Sequence, residues 1–232
     1  MRTLCLCLQR DAAPSVAENF LTFSPRVHYR APGLVFLDIT STAKMFGGER
    51  NLLDEALYVS REFFPEATGA ISDTPWGAQA LSAERPNTIS LPTHEWGDLS
   101  EASLSRLHQL EGLIAWHQPR EVGEIVDFFH MLGIHRLGEI RNFQVDSFRE
   151  RWQQTGTLIW KRLHNLDKQV ISPLLPTEAL QDFVYLDFSV SLMPFLLHCV
   201  EKSMQRLMSR LQGRGEFARK LVLNLFCEYS NT

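Results

Sequence analysis

The stretch 33–49, GLVFLDITSTAKMFGGE, constrains the fold of this chain more tightly than any other part of it. Residues 34–39 form a short apolar run of β-branched and aromatic side chains, with Pro32-Gly33 before it and Thr40-Ser41-Thr42 after it. Such a run reads as a buried, central strand of about six residues and is too short for a helix. Gly47-Gly48 then breaks the chain, and beyond Asn51 the residues Leu52, Leu53, Ala56, Leu57 and Val59 fall close to helical spacing.

Two further strands follow from alternation and punctuation. Residues 3–8 place Leu4, Leu6 and Leu8 on one face and Thr3, Cys5 and Cys7 on the other. Residues 69–72 read as a strand leading into a helix over 76–81, and Asp73-Thr74-Pro75 is a good helix start, with Asp or Thr as cap and Pro in the first turn. Asp11 stands in a turn before Pro14, where it is expected to help start a helix over 15–21. The four cysteines, Cys5, Cys7, Cys199 and Cys227, are too spread to signal a disulfide framework or a zinc site, and Cys5 and Cys7 read as buried thiols.

The order of strand, Asp38, Thr40, a Phe46-Gly47-Gly48-Glu49 turn and then a helix resembles the palm of Y-family (translesion) DNA polymerases, and within them the ImuB-like branch. Ser24-Pro25-Arg26-Val27 is similar to the family's lead into that strand. The resemblance implies an Asp-Glu pair opening the strand, ahead of a Leu-Asp-Val-Thr ending. With Leu37-Asp38-Ile39-Thr40 set on that ending, the pair falls on Gly33 and Leu34. It also implies an aspartate on the first strand, where none of residues 3–8 is acidic. Transfer of a nucleotide in this family uses two metal ions, and magnesium takes oxygen ligands. The expectation from these positions is therefore no metal, no cofactor and no catalytic residue, that is, not an enzyme. Asp38 shares a face with Leu34 and Phe36 and reads as capping the Thr40 turn. The family's fingers domain would fall between the first strand and Phe23, where there is room for one short helix. Its phosphate-approaching Asn-Lys pair and further lysine fall on Thr74-Pro75 and Gln79, and the Asp-Thr-Pro start is similar to that of ImuB-like proteins.

Residues 86–98 form a polar, proline-punctuated connection in which His94-Glu95 lacks the second histidine of a zinc-protease pattern. Residues 100–113 read as a helix with Leu104, Leu107, Leu110 and Leu113 along one face. From Pro119 the residues Val122, Ile125, Val126, Phe129 and Leu132 make an amphipathic stripe that Gly133 ends. A Leu-Gly hairpin and a second helix through Phe148, Trp152, Leu158, Ile159 and Leu163 follow, an arrangement similar to the family's helix-hairpin-helix thumb. That likeness implies hairpin amides approaching DNA phosphates without reading sequence, with Gly133, Arg136, Gly138 and Arg141 as candidate contacts; a plain packing unit is the alternative. Residues 183–191 read as a strand, 194–212 as a helix and 221–228 as another strand, a partial β-α-β little-finger region. On that helix Leu196, Leu197, Val200, Met204, Leu207, Met208 and Leu211 form an apolar stripe. Lys202, Arg206, Arg210 and Arg214 follow one another at four-residue spacing, with Arg219 and Lys220 beyond, and make either a phosphate-tracking surface or a solvated face.

At 232 residues, with 44% hydrophobic and 22% charged residues, the composition is that of a soluble globular protein. No apolar run approaches the roughly 18 residues of a membrane span and no signal peptide opens the chain, so a cytoplasmic, nucleoid-associated protein without a membrane partner is expected. The net charge of −4 argues against strong DNA avidity of the whole, and the bases concentrate at the far end, over 202–220. The expected fold is α+β: an α/β palm sheet with flanking helices over 1–111, a helical helix-hairpin-helix thumb over 112–178, and the partial little finger over 179–232. By resemblance, the expected function is that of a non-catalytic adaptor in DNA damage tolerance. Its partners would be primer-template DNA, an error-prone replicative-type DNA polymerase, a RecA-like accessory protein and the sliding clamp. The alternatives are an interaction module without DNA binding and a degenerate nucleotidyltransferase using acids such as Asp38 and Glu49.

Overall fold

The computed structural model describes residues 1–9, 11–176, 179–186, 190 and 192–226. Five strands, β1 (Thr3–Cys7), β2 (Val27–Arg30), β3 (Leu34–Asp38), β4 (Thr68–Ser72) and β5 (Thr88–Ile89), form one sheet in the order β2-β3-β1-β4-β5. β1 is antiparallel to both neighbours, with Cys5 opposite Phe36 on one side and Ala70 on the other, and β5 runs parallel to β4. The strand read from 34–39 is thus an inner strand, as its apolar run requires. β5 lies in the stretch read as irregular connection, because two residues carry too little pattern to show a strand.

Alternation sorts the strand residues onto two packed faces. Leu4, Leu6, Val35, Leu37 and Ile71 pack with Leu52, Leu53, Ala56 and Leu57 of helix α1 (Glu49–Arg61). Gly47 (φ 75°) and Gly48 (φ 126°) turn the chain into α1 through backbone conformations that side chains rarely adopt. The opposite face carries Cys5 and Phe36 under helix α2 (Pro75–Glu84), where Ala78 and Ile171 meet them. Thr74 caps α2 by accepting from Gly77 N–H at 3.0 Å, with Pro75 in the first turn, as the sequence predicts.

Elsewhere helices are shorter than the pattern suggests. The segment expected as a helix over 15–21 is a 3-10 turn, Pro14–Phe20, whose start has no side-chain cap, so Asp11 does not fill that role. Within the expected helix over 100–113 only a 3-10 turn, Leu104–Gln109, forms, and the short α3 (Glu95–Leu99) precedes that stretch. Leu104, Leu107 and Leu110 are all fully buried, and their spacing of three is the period of a 3-10 helix, in which i and i+3 eclipse. Helix α4 (Pro119–Met131) stops at Gly133 (φ 77°), and α5 (Leu137–Ile140) leads to α6 (Val145–Leu163). α6 is broken at Trp152 and Gln153, the latter at φ 45°. Phe129, Phe148, Trp152, Val122 and Ile125 form one core with Trp76, Leu104 and Leu107, so the helical half packs directly on the underside of α2. Arg162, 2% exposed, ties the end of α6 to this body: it donates to Asp167 at 2.8 Å and to the Leu110 carbonyl at 2.6 Å, and lies 4.3 Å over the Trp116 ring.

The C-terminal part departs from the expected β-α-β unit. Its helix is present as α7 (Met193–Arg214), but residues 183–186, 190 and 221–226 form no strand, and the rest of the two predicted strands lies outside the described residues. A strand needs a hydrogen-bonding neighbour, and Phe183, Tyr185, Leu223 and Phe226 instead stand exposed. α7 is also rolled against expectation. Leu197, Met204 and Met208 of its apolar stripe are 60%, 41% and 57% exposed, while Arg210 is buried.

Candidate nucleic-acid interface

The roll of α7 has an electrostatic cause. Glu18, on the 3-10 turn between β1 and β2, is 4% exposed and accepts from Arg210 at 2.8 Å and from Arg214 at 2.9 Å. Arg210 donates as well to the Gln181 carbonyl at 3.0 Å, and Gly213 lets the helix backbone approach that of Glu18 and Asn19. Burial pushes the Glu18 carboxyl up, but the two guanidiniums outweigh it and hold it below the usual carboxylate range. Arg206 pairs with Asp182 at 2.6 Å. Of the cations expected to track phosphates, Arg210 and Arg214 therefore hold the helix to the 3-10 turn that carries Glu18. Lys202, Arg219 and Lys220 are exposed, Lys202 reaching Gln205 at 3.4 Å.

The hairpin between α4 and α5 presents little free backbone. Each amide from Gly133 to Glu139 already donates within the chain. Those of His135 and Arg136 donate to the Glu139 carboxylate at 2.9 and 3.0 Å, those of Leu137 and Gly138 to the carbonyls of Ala102 and Ser100 at 3.0 Å each, and the others to carbonyls of the helix ends. Glu139 occupies the seat an anion would take, and those two amides hold its carboxyl below the ordinary range. Gly138 serves close packing, since a Cβ there would meet the backbone of Ser100, whereas Gly133 faces open space. Arg136 pairs with Glu101, and Arg141 lies 4.9 Å over the Trp96 ring.

In the sheet the register sets Cys7 opposite Leu34, and the Gly33 carbonyl accepts from Leu8 N–H at 2.7 Å. Asp38 caps the turn as predicted, accepting from the Thr40 amide at 3.0 Å and its hydroxyl at 2.6 Å, with Arg26 at 3.2 Å. Glu49 is held by Arg2 at 2.6 Å, together with Asp73 at 3.0 Å. Among the described residues no group of three or more His, Cys, Asp and Glu side chains is placed to hold a metal ion.

Glu95 was not legible as a buried group. It is 1% exposed and accepts from the Ser72 hydroxyl at 2.6 Å, the Thr74 amide at 2.9 Å and the Thr74 hydroxyl at 3.0 Å. Burial, helped by the charge of Asp73, pushes its carboxyl up to about 7 against those hydrogen bonds. Glu18 and the Arg30–Glu111 pair (2.9 Å) were missed likewise, because each partner lies far away in sequence.

No family model matches the chain. It is 22% identical over 173 residues to DNA polymerase IV of Pseudoalteromonas atlantica, a match that takes in 72% of this chain and 45% of that protein. The chain thus spans less than half the length of this curated relative. Two crystal structures from Sulfolobus solfataricus share its fold: DinB, at 14% identity and a TM-score of 0.50 over 68% of this chain and 45% of that one, and a DinB-family error-prone DNA polymerase, at 13% and 0.50 over 83% and 56%. The mixed fold of a five-stranded sheet with helices is therefore of the DinB polymerase type. These comparisons correct the expectation that the chain is not an enzyme. Its similar proteins are named as DNA polymerases, and the lack of acids on the first strand and at Gly33 and Leu34 is no positive sign of inactivity.

Proposed function

We propose that this chain acts on DNA in damage tolerance, as an ImuB-like member of the Y-family polymerases that joins primer-template DNA to a partner polymerase. The observation that carries the reading is the DinB-type fold, found together with similarity in sequence to a DNA polymerase IV. Contact with DNA is sequence-independent and made to phosphates, through the exposed Lys202, Arg219 and Lys220 with Arg206, and through Arg136 and Arg141 beside Gly133 and Gly138. Arg210 and Arg214 position that surface through Glu18. The bare apolar row Leu197, Met204 and Met208 supports a protein partner, since exposed apolar patches of this kind mark interaction sites. An error-prone replicative-type polymerase is proposed for that row, with a RecA-like accessory protein and the sliding clamp as further members of the assembly.

A strain without the gene, challenged with a base-damaging agent, tests this. Loss of survival or of induced mutation, restored by the wild-type chain and not by the Lys202→Glu, Arg219→Glu, Lys220→Glu triple variant, is the expected outcome. Unchanged survival and mutation frequency in the deletion strain would overturn the reading.

A further inference from the structure

β1 carries two thiols on one face, at the end of the sheet nearest Gly33. Cys5 is fully buried, whereas Cys7, at the strand's last position, is partly exposed. Ser82 of α2 places its hydroxyl 3.0 Å from Cys7 Sγ. Arg30, on the same face two strands away, is anchored through its terminal nitrogens to Glu111 and to the Gly112 carbonyl, and its buried Nε has no hydrogen-bond partner. The thiol pair and the Ser82 hydroxyl thus lie beneath α2, beside Phe36, Leu34 and Leu113, with the incompletely paired guanidinium farther along the same face of the sheet. None of the contacts proposed above uses them.

We propose that Cys7 is a site of oxidation by peroxide, and that its sulfenic acid is held in place by Cys5 and Ser82. The thiolate is the reacting form, and it is favoured here. The hydrogen bond from Cys5 acts first and most strongly, Ser82, Thr68 and the charge of Arg30 assist, and together they outweigh burial and bring Cys7 down to about 7. Cys5 is the opposite case: burial pushes its thiol well up, so it stays protonated and donates. In the reaction Cys7 Sγ attacks one oxygen of hydrogen peroxide. An S–O bond forms as the O–O bond breaks, and hydroxide leaves and takes a proton from solvent. Sulfur is oxidised by two electrons and the peroxide is reduced.

The strand geometry disfavours a disulfide as the end product. Two positions along an extended strand separate the Cα atoms by about 6.6 Å, at the far edge of the range a disulfide spans. β1 is also hydrogen-bonded on both sides, to β3 and β4, so it has little freedom to contract. The oxidised sulfur stays beside the Ser82 hydroxyl.

The test uses the full chain, with Cys199 of α7, also partly exposed, as the internal reference thiol. Iodoacetamide alkylation at each cysteine is followed by peptide mass across pH 5.5 to 9.5. Sulfenic acid is then trapped with dimedone after brief hydrogen peroxide treatment. The expected results are a half-maximal alkylation of Cys7 near pH 7, dimedone predominantly on Cys7, and a midpoint raised by about one pH unit or more in Cys5→Ala, since the donor that favours the thiolate is gone. Thermal melting shows whether that variant is folded, and if it is not, the two wild-type measurements decide alone. A Cys7 midpoint equal to that of Cys199, dimedone appearing first on Cys199, or a Cys5–Cys7 disulfide as the main product would each overturn the proposal.

Discussion

Replacing Glu95 by glutamine should remove most of a pH dependence that the buried carboxyl imposes on stability. The folded chain holds this proton up to about pH 7, whereas an ordinary glutamate loses it near 4.5. Between those values the folded state binds more protons than the unfolded state, so stability falls as pH rises through the window. A difference of about 2.5 pH units corresponds to about 3–4 kcal/mol over the whole window, taking about 1.4 kcal/mol per unit. Glutamine keeps the shape and one oxygen to accept from Ser72 or Thr74, and it does not titrate. Urea unfolding of both proteins at pH 5 and pH 8 isolates the effect, because every other titrating group cancels in the difference between them. The variant should gain about 2–3 kcal/mol on the wild type on going from pH 5 to pH 8, less than the whole window because an unfolded glutamate is already largely ionised at pH 5. Parallel profiles, with the gap between the proteins changing by less than about 0.5 kcal/mol, would refute the assignment of Glu95 as a desolvated carboxyl without a cationic partner.

Four further outcomes follow from the same packing. Glu18→Gln removes the carboxylate that Arg210 and Arg214 share and should cost about 3–5 kcal/mol in urea unfolding, with α7 becoming sensitive to limited proteolysis. Because Glu18 is held below its ordinary value, the wild-type latch should be intact above about pH 4.5 and weaken as the pH falls below it. Gly77→Ala sets a methyl group against the Glu95 carboxyl and should lower stability by about 1–3 kcal/mol, read by thermal melting. Gln at Leu197, Met204 and Met208 together should change stability by no more than about 0.5 kcal/mol per site, yet abolish co-purification of a partner polymerase; retention of the partner would remove the apolar row from the interface.

What could be read from the sequence was local. The apolar run before Asp38 and the paired glycines after Phe46 gave β3 and α1, Asp38 capped its own turn, and Thr74-Pro75 started α2, since each signal lies within a few residues of its effect. α7 shows the limit of periodicity. Its stripe was visible, but which side faces the protein was decided by Glu18, 192 residues from Arg210, and a buried ion pair outweighed part of the apolar face. The hairpin glycines had an ambiguous meaning for the same reason. Gly138 packs on Ser100 and Glu139 fills the amide seat, neither of which spacing alone can show. The strands expected on either side of α7 had the right residues, but a strand is fixed by its neighbour, and propensity does not supply one. The loss of acids at Gly33 and Leu34 was legible as sequence, but the inference from it to an absent activity was not supported by the proteins this chain is similar to.

Binding to DNA is tested most directly by fluorescence anisotropy of a labelled primer-template titrated with the full chain between 50 and 200 mM salt. The account predicts saturable binding whose affinity falls linearly on a log-log plot against salt, with a slope lower by about 3 in the Lys202→Glu, Arg219→Glu, Lys220→Glu variant than in the wild type. Absence of binding by the wild-type chain at 50 mM salt, or a slope that the triple variant leaves unchanged, would contradict it.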